Sequence, residues 1–282
     1  MSDQLDDIIR RALAEDAPWG DVTSEAFLPG GATASAALVA REPGVFSGGG
    51  VFARTFELVD AGTDVELGLD DGEAFEAGDV LARVDGSARS VLRGERIALN
   101  LVQRMSGIAT LTARYVAAVA GTGARIVDTR KTTPGLRILE RQAVRDGGGR
   151  NHRFSLSDAV MAKDNHLAVL AASGVPVGDA VRAARARIGH TVHLEVEVDR
   201  IAQIEEVVAA GVDTIMLDNF SPEQLREGVA LVAGRALVEA SGGVNLDSVR
   251  AIAETGVDVI SVGALTHSVR ALDLGLDVAV AG

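Results

Sequence analysis

From about residue 124 onward the chain repeats one pattern: a short apolar run, a polar cluster, then a stretch with helical spacing. The apolar runs fall at residues 125–128, 160–163, 192–198, 214–218, 236–239 and 257–262, with helical stretches near 178–187, 201–210, 222–233 and 246–255. Parallel strands need such a crossover between them, so the alternation predicts βαβ units and a parallel sheet. About six or seven units closing on themselves make an α/β barrel, complete or incomplete. An open doubly wound sheet is the alternative. It commonly carries a G-x-G-x-x-G turn after its first strand, and this chain has none.

The earlier part of the chain has a different rhythm. Leu5, Ile8, Ile9, Ala12 and Leu13 recur at helical spacing, so an amphipathic helix opens the sequence. Residues 32–86 break into short alternating runs separated by Gly and Asp, which predicts a small β-rich unit. Residues 88–119 return to helical spacing, with Leu101, Met105, Ile108 and Tyr115 on one stripe and Gly107 as a candidate bend.

In a parallel barrel, polar residues at the carboxyl ends of strands read as an active site. Asp128, Lys163, Asp218 and Glu239 all fall at or near such ends. One strand carries more: His193, Glu195 and Glu197 alternate with apolar residues, as on a strand with one ionisable face or on a half-exposed edge strand. Asp128-Thr129-Arg130-Lys131-Thr132-Thr133-Pro134-Gly135 leaves a strand and enters a turn. Adjacent Arg130 and Lys131 suit an anion, since arginine grips a carboxylate with two donors and lysine meets a phosphate as a point charge; a solvated basic turn is the plainer reading. Gly147-Gly148-Gly149-Arg150-Asn151-His152-Arg153 and Met161-Ala162-Lys163-Asp164-Asn165-His166 add further donors. Ser241-Gly242-Gly243 and Val262-Gly263-Ala264 each follow a strand and offer main-chain N–H groups to a phosphate.

Charge and composition narrow the classes. The net charge of −13 opposes nucleic-acid binding. No apolar run approaches the roughly 18 residues that span a bilayer, and the acidic N-terminus is unlike a signal peptide, so the expectation is a cytoplasmic protein without a membrane partner. There is no cysteine, which excludes disulfides and thiolate chemistry. Of 27 lysines and arginines only Lys131 and Lys163 are lysine, leaving 25 arginines. Either these two survive where a planar guanidinium cannot serve, or they survive by chance. A P-loop, H-E-x-x-H and a modifiable carrier lysine are all absent.

Taken in order, these segments resemble the quinolinate phosphoribosyltransferase family. The likeness includes Gly20-Asp21-Val22-Thr23, Glu95 to Asn100, Ser106 to Thr110, Asp128 to Gly135, His152-Arg153, Lys163 to His166, Glu195-Val196-Glu197, Leu217-Asp218-Asn219, Ser241-Gly242-Gly243 and Gly263 to Ser268. The resemblance implies an N-terminal α/β sandwich over residues 1–105, an incomplete α/β barrel over 106–267, and a tail, 268–282, that returns to the first domain. It implies a homodimer in which Arg104 enters the partner's active site. Arg130, His152, Arg153 and Lys163 would hold the two carboxylates of quinolinate, with Thr129 a further substrate-binding residue. Lys131, Glu197 and Asp218 would handle phosphoribosyl pyrophosphate with Mg²⁺, the two carboxylates serving as its ligands. Ser241, Gly242, Gly243, Val262, Gly263 and Ala264 would take the 5′-phosphate. Two other readings stand beside it: a paralogue of the molybdenum-transport-associated type, and a barrel enzyme that forms a Schiff base on Lys131 or Lys163.

Overall fold

The structure is a computed structural model that describes residues 2–279. The chain forms two compact units. The first comprises the chain up to Ala113, Thr132–Gly148 and the segment from Thr266 onward; the second comprises Arg114–Lys131 and Gly149–Leu265. The division is not one cut near residue 105. Residues 132–148 carry the helix Arg137–Asp146, which follows a barrel strand in sequence yet packs in the first unit.

In the first unit, β1 (Thr33–Ala40), β2 (Gly44–Val45), β3 (Asp64–Leu67), β4 (Ala74–Phe75) and β5 (Val80–Ser87) lie in the stretch that reads as β-rich. Along β1 alternate residues Ala34, Ala36, Leu38 and Ala40 are buried, as a strand with one core face requires. That stretch also contains a helix, Gly49–Val59, which the alternation conceals. Its buried stripe of Val51, Phe52, Thr55 and Phe56 has helical spacing. Phe52 and Phe56 meet edge to face at 5.1 Å, and with Phe46, Leu38 and Leu81 they fill the core. The sheet runs β12-β1-β5-β3, where β12 is Leu274–Ala279; β12 pairs antiparallel with β1 from Ala279 against Ser35 to Leu274 against Ala40. The tail therefore returns to this unit over the described residues; 280–282 lie outside them.

The long helix Ala88–Ala118 runs unbroken through Gly107. Glycine is needed there for proximity, not for a bend: a Cβ would sit 2.2 Å from the Arg270 carbonyl oxygen. Among the described residues no single helix is long and apolar enough to cross a membrane.

The second unit holds β6 (Arg125–Val127), β7 (Val160–Ala162), β8 (Leu194–Val198), β9 (Thr214–Asp218), β10 (Leu237–Ser241) and β11 (Val259–Ser261). All pairings are parallel and the order is β6-β11-β10-β9-β8-β7. From β7 to β11 each strand neighbours its successor, and β11, the last, returns to β6, the first, which is barrel order; a doubly wound sheet would reverse direction at an internal switch point. The ladder is open only between β6 and β7, where a single parallel bridge joins Val127 to Arg150. The barrel is incomplete at that seam. Every residue of β8 is buried, so the strand with alternating carboxylates is an interior one, not a half-exposed edge.

Candidate active site

The carboxyl ends of the barrel strands surround one cavity of about 590 Å³. Thr129, Arg130, Lys131, His152, Arg153, Lys163, Glu197, Asp218, Ser241, Gly242 and Gly243 all line it. These residues come from six separate stretches of sequence, and barrel closure brings them together. Met161, Met216, Asn219, Glu239 and Ser261 complete the wall. Val262, Gly263 and Ala264 follow β11 directly but are not part of the lining. His193 precedes β8, at the opposite end, where its Nε2 meets Thr214 Oγ1 at 2.9 Å.

One part of the wall is cationic. Burial and the adjacent Arg130 guanidinium both push Arg153 below the usual arginine range. Like charges held this close raise the energy of the empty site and favour an anion between them. Arg153 Nη1 donates to the Ala159 carbonyl at 2.9 Å, which fixes the guanidinium. Lys163 Nζ stands 2.5 Å from Glu197 Oε2, so the lysine expected to meet one substrate and the carboxylate expected to meet the other are paired together here. His166 Nδ1 accepts from the Lys163 main-chain N–H at 3.0 Å and caps the helix that follows.

Asp128, fully buried, is not part of the cavity lining. Its two oxygens accept from the His152 main-chain N–H and from Asn151 Nδ2, each at 2.7 Å, and so hold the histidine loop beside β6. His152 Nδ1 accepts from the Arg153 main-chain N–H at 2.7 Å, while Nε2 lies 3.3 Å from Glu195 and 3.4 Å from Glu239. Burial alone would lower the imidazole, but hydrogen bonds to the two carboxylates outweigh it and push the ring up to about 10. In either protonation state Nε2 keeps its hydrogen for the carboxylates. Only Nδ1 changes: the neutral ring accepts from Arg153, and an imidazolium loses that bond. Glu195 is pushed above the usual carboxylate range, first by burial. With Nε2 turned to the two glutamates, His152 meets the cavity through the rest of its ring.

At the end of β9, Asn219 adopts φ +58°, an unusual conformation for a residue with a side chain. Its Nδ2 donates to Asp218 Oδ2 at 2.6 Å and its main-chain N–H to the Ser241 carbonyl at 2.9 Å. Gly242, at φ +89°, has to be glycine: a Cβ would lie 2.2 Å from Asn219 Oδ1. The two loops are thus keyed to each other. The helix after the Ser241–Gly243 turn begins only at Val249, so this turn offers main-chain groups of a glycine loop, not of a helix end.

Two sets of groups suit a cation. His152, Glu195 and Glu239 have ligand atoms within 4.8 Å of one another, but the imidazole there already serves both carboxylates. Glu197 and Asp218, on neighbouring strands and lining the cavity, offer the hard oxygen donors that magnesium takes. Arg104 lies in the first unit and not in the cavity wall. Its guanidinium meets Glu140 Oε1 at 2.8 Å, Thr133 Oγ1 at 3.3 Å, and the carbonyls of Thr266 and Val269. Asn219, Glu195 and Glu239 are site residues to which the sequence gives no role. Glu239 is legible as a strand-end charge and Glu195 as an ionisable residue of an alternating strand, whereas no local signal marks the conformation of Asn219.

The chain matches two family models, described as quinolinate phosphoribosyl transferase, N-terminal domain, over residues 21–106, and C-terminal domain, over residues 108–277. It is 45% identical over 281 residues to the nicotinate-nucleotide pyrophosphorylase (carboxylating) of Mycobacterium leprae, covering 98% of this chain and 97% of that one. It is 43% identical to the probable enzyme of that name from Bacillus subtilis, covering 98% and 93%. The crystal structure of NadC from Streptococcus pyogenes superposes with a TM-score of 0.94 at 42% identity, covering 100% of this chain and 99% of that one.

Proposed function

The chain belongs to the quinolinate phosphoribosyltransferase family, and on that premise we propose that it transfers the phosphoribosyl group of phosphoribosyl pyrophosphate to quinolinate. The products are nicotinate mononucleotide, pyrophosphate and CO₂. The observation that carries this reading is the cavity wall itself: two crowded guanidiniums and both lysines of the chain, facing Glu197 and Asp218.

Arg130, Arg153 and Lys163 hold the two carboxylates of the pyridine, with His152 beside them and the Thr129 hydroxyl as a further donor. This fixes the ring nitrogen for attack. The nitrogen lone pair forms the bond to ribose C1 as the C1–O bond breaks and its electron pair leaves on pyrophosphate. Lys131 neutralises charge on that leaving group. Glu197 and Asp218 hold the ribose hydroxyls and favour the positive charge that develops on the sugar. Lys163 has to be released from Glu197 for both residues to reach their substrates, and a carboxylate of quinolinate is the group able to displace it. Magnesium, when bound at Glu197 and Asp218, supplies further neutralisation of the pyrophosphate. The ring nitrogen, now cationic, accepts the electron pair as the C2–carboxylate bond breaks; CO₂ leaves and C2 takes up a proton. The glycine turn 241–243, which lines the cavity, takes the 5′-phosphate.

The same reading includes a homodimer in which Arg104 of one copy serves the site of the other, and a cytoplasmic reaction, since both substrates are highly charged. A Schiff-base lysine is the weaker alternative: that chemistry needs a free amine, and Nζ of Lys163 faces a carboxylate at 2.5 Å. Incubation with quinolinate, phosphoribosyl pyrophosphate and Mg²⁺ should yield nicotinate mononucleotide and CO₂. No product from a protein that binds both substrates would rule the assignment out.

A further inference from the structure

Barrel interiors are filled chiefly by branched apolar side chains. Here two carboxylates occupy that position. Glu195 on β8 and Glu239 on β10 are only 4% and 3% exposed. Each turns one oxygen toward His152 Nε2, at 3.3 and 3.4 Å. Each leaves its other oxygen, Oε1, buried with no hydrogen-bond partner. Buried carboxylates incompletely satisfied destabilise a fold, and apolar residues of similar size would serve barrel packing better. The three groups come from two strands and one loop, so the packing that unites them is kept against a cost in stability.

His152 is also held from its other edge. Asp128 accepts from its main-chain N–H, and its Nδ1 lies 2.7 Å from the Arg153 main-chain nitrogen, from which the neutral ring accepts. The orientation of the ring is therefore tied to the main chain from which the Arg153 guanidinium reaches the cavity. Glu195 also opposes the repulsion between Arg153 and Arg130.

We infer that Glu195 and Glu239 are positioning residues for the pyridine dicarboxylate, acting through His152: they hold Nε2 between them and so set the ring and the adjoining Arg153 for the anion. The inference rests on the assignment of Arg130, Arg153 and Lys163 to quinolinate. It gives a function to two buried charges that strand packing does not call for.

The test uses Glu195→Gln and Glu239→Gln in the intact enzyme, since Gln keeps the shape and removes the charge. Quinolinate Kd by calorimetry and quinolinate KM should rise by roughly tenfold or more, while the KM for phosphoribosyl pyrophosphate stays within about twofold. Measured above about pH 10, where the His152 ring is neutral and its ion pairing no longer contributes, the Tm should stay level or rise, because a buried charge has been removed. In a His152→Ala background either Gln substitution should add no further loss. An unchanged quinolinate Kd in both variants overturns the inference. So does a loss shared equally by both KM values together with a fall in Tm, or full additivity with His152→Ala. A wild-type enzyme that forms no nicotinate mononucleotide overturns the underlying assignment as well; wild-type turnover with unaffected variants overturns this inference alone.

Discussion

Arg104→Ala tests whether the guanidinium's contacts within its own unit are structural. Glu140 is the buried partner: its side chain is 1% exposed against 25% for Arg104. One carboxylate oxygen receives Arg104 Nε at 3.2 Å and Nη2 at 2.8 Å, and the other accepts from the Thr133 main-chain N–H at 3.1 Å. Removing the arginine strands a carboxylate in the interior and frees the carbonyls of Thr266 and Val269. Breaking a buried pair costs about 3–5 kcal/mol, and the partial exposure of Arg104 lets water into the gap, so the loss should lie near the lower end, about 3 kcal/mol. Glu140→Gln keeps one acceptor oxygen for Arg104 but turns an amide donor toward the Thr133 N–H, so it should lose about 1–3 kcal/mol. The double variant should be more stable than Arg104→Ala alone by roughly 1–2 kcal/mol, because the stranded charge is gone. Urea unfolding followed by circular dichroism measures all three, at two protein concentrations so that any assembly is accounted for. A loss below about 1 kcal/mol for Arg104→Ala, or a double variant no better than that single one, would refute the electrostatic argument.

Four further expectations follow from the site. Arg104→Ala and Lys163→Ala, each nearly inactive alone, should recover roughly a quarter of wild-type activity when co-refolded, because half the dimers are mixed and each has one intact site; single-variant activity after proven mixing would exclude a role in trans. Lys131→Arg and Lys163→Arg should each lower kcat/KM about 100-fold with the fold intact, whereas near-normal rates in both would return the lysines to chance survival. Quinolinate should exceed nicotinate by more than roughly 100-fold in kcat/KM, since a single carboxylate leaves buried cations unmatched; equal turnover of the two acids would contradict that. The His152 ring, raised from 6.5 to about 10 by its two carboxylates, binds more protons folded than unfolded across that interval. Its contribution is complete below about pH 6.5 and fades as pH rises toward 10, so Tm should decline over that window and His152→Gln should flatten the decline.

The barrel and most of its mouth are legible in the sequence because they rest on local signals. Lys163, Asp218 and Glu239 are readable as strand-end residues once the strand–helix repeat is recognised, and in-register parallel pairing then forces them to one end. What escapes is tertiary. The helix Arg137–Asp146 is absent from the helical stretches that the spacing marks; it follows β6, where a crossover helix belongs, and nothing local shows that it packs in the other unit. The alternation in β8 puts Glu195 and Glu197 on one face, yet their fates differ: Glu197 reaches the cavity and Lys163, whereas Glu195 turns to a histidine delivered by a loop beside a different strand. Gly107 reads as a bend because the chain segment that crowds it, at Arg270, is remote in sequence.

The sheet of the first unit also has a bearing on biosynthesis. β1 is flanked by β5 on one side and β12 on the other, and β12 is translated only after the entire second unit. On the ribosome β1 waits with one edge bare while the barrel emerges, and a bare edge is a template for pairing with other chains. The barrel is able to fold as it is made, but the sheet of the first unit closes only once Leu274–Ala279 has left the exit tunnel. Nascent chains stalled inside the barrel should therefore depend on chaperones far more than the released protein does.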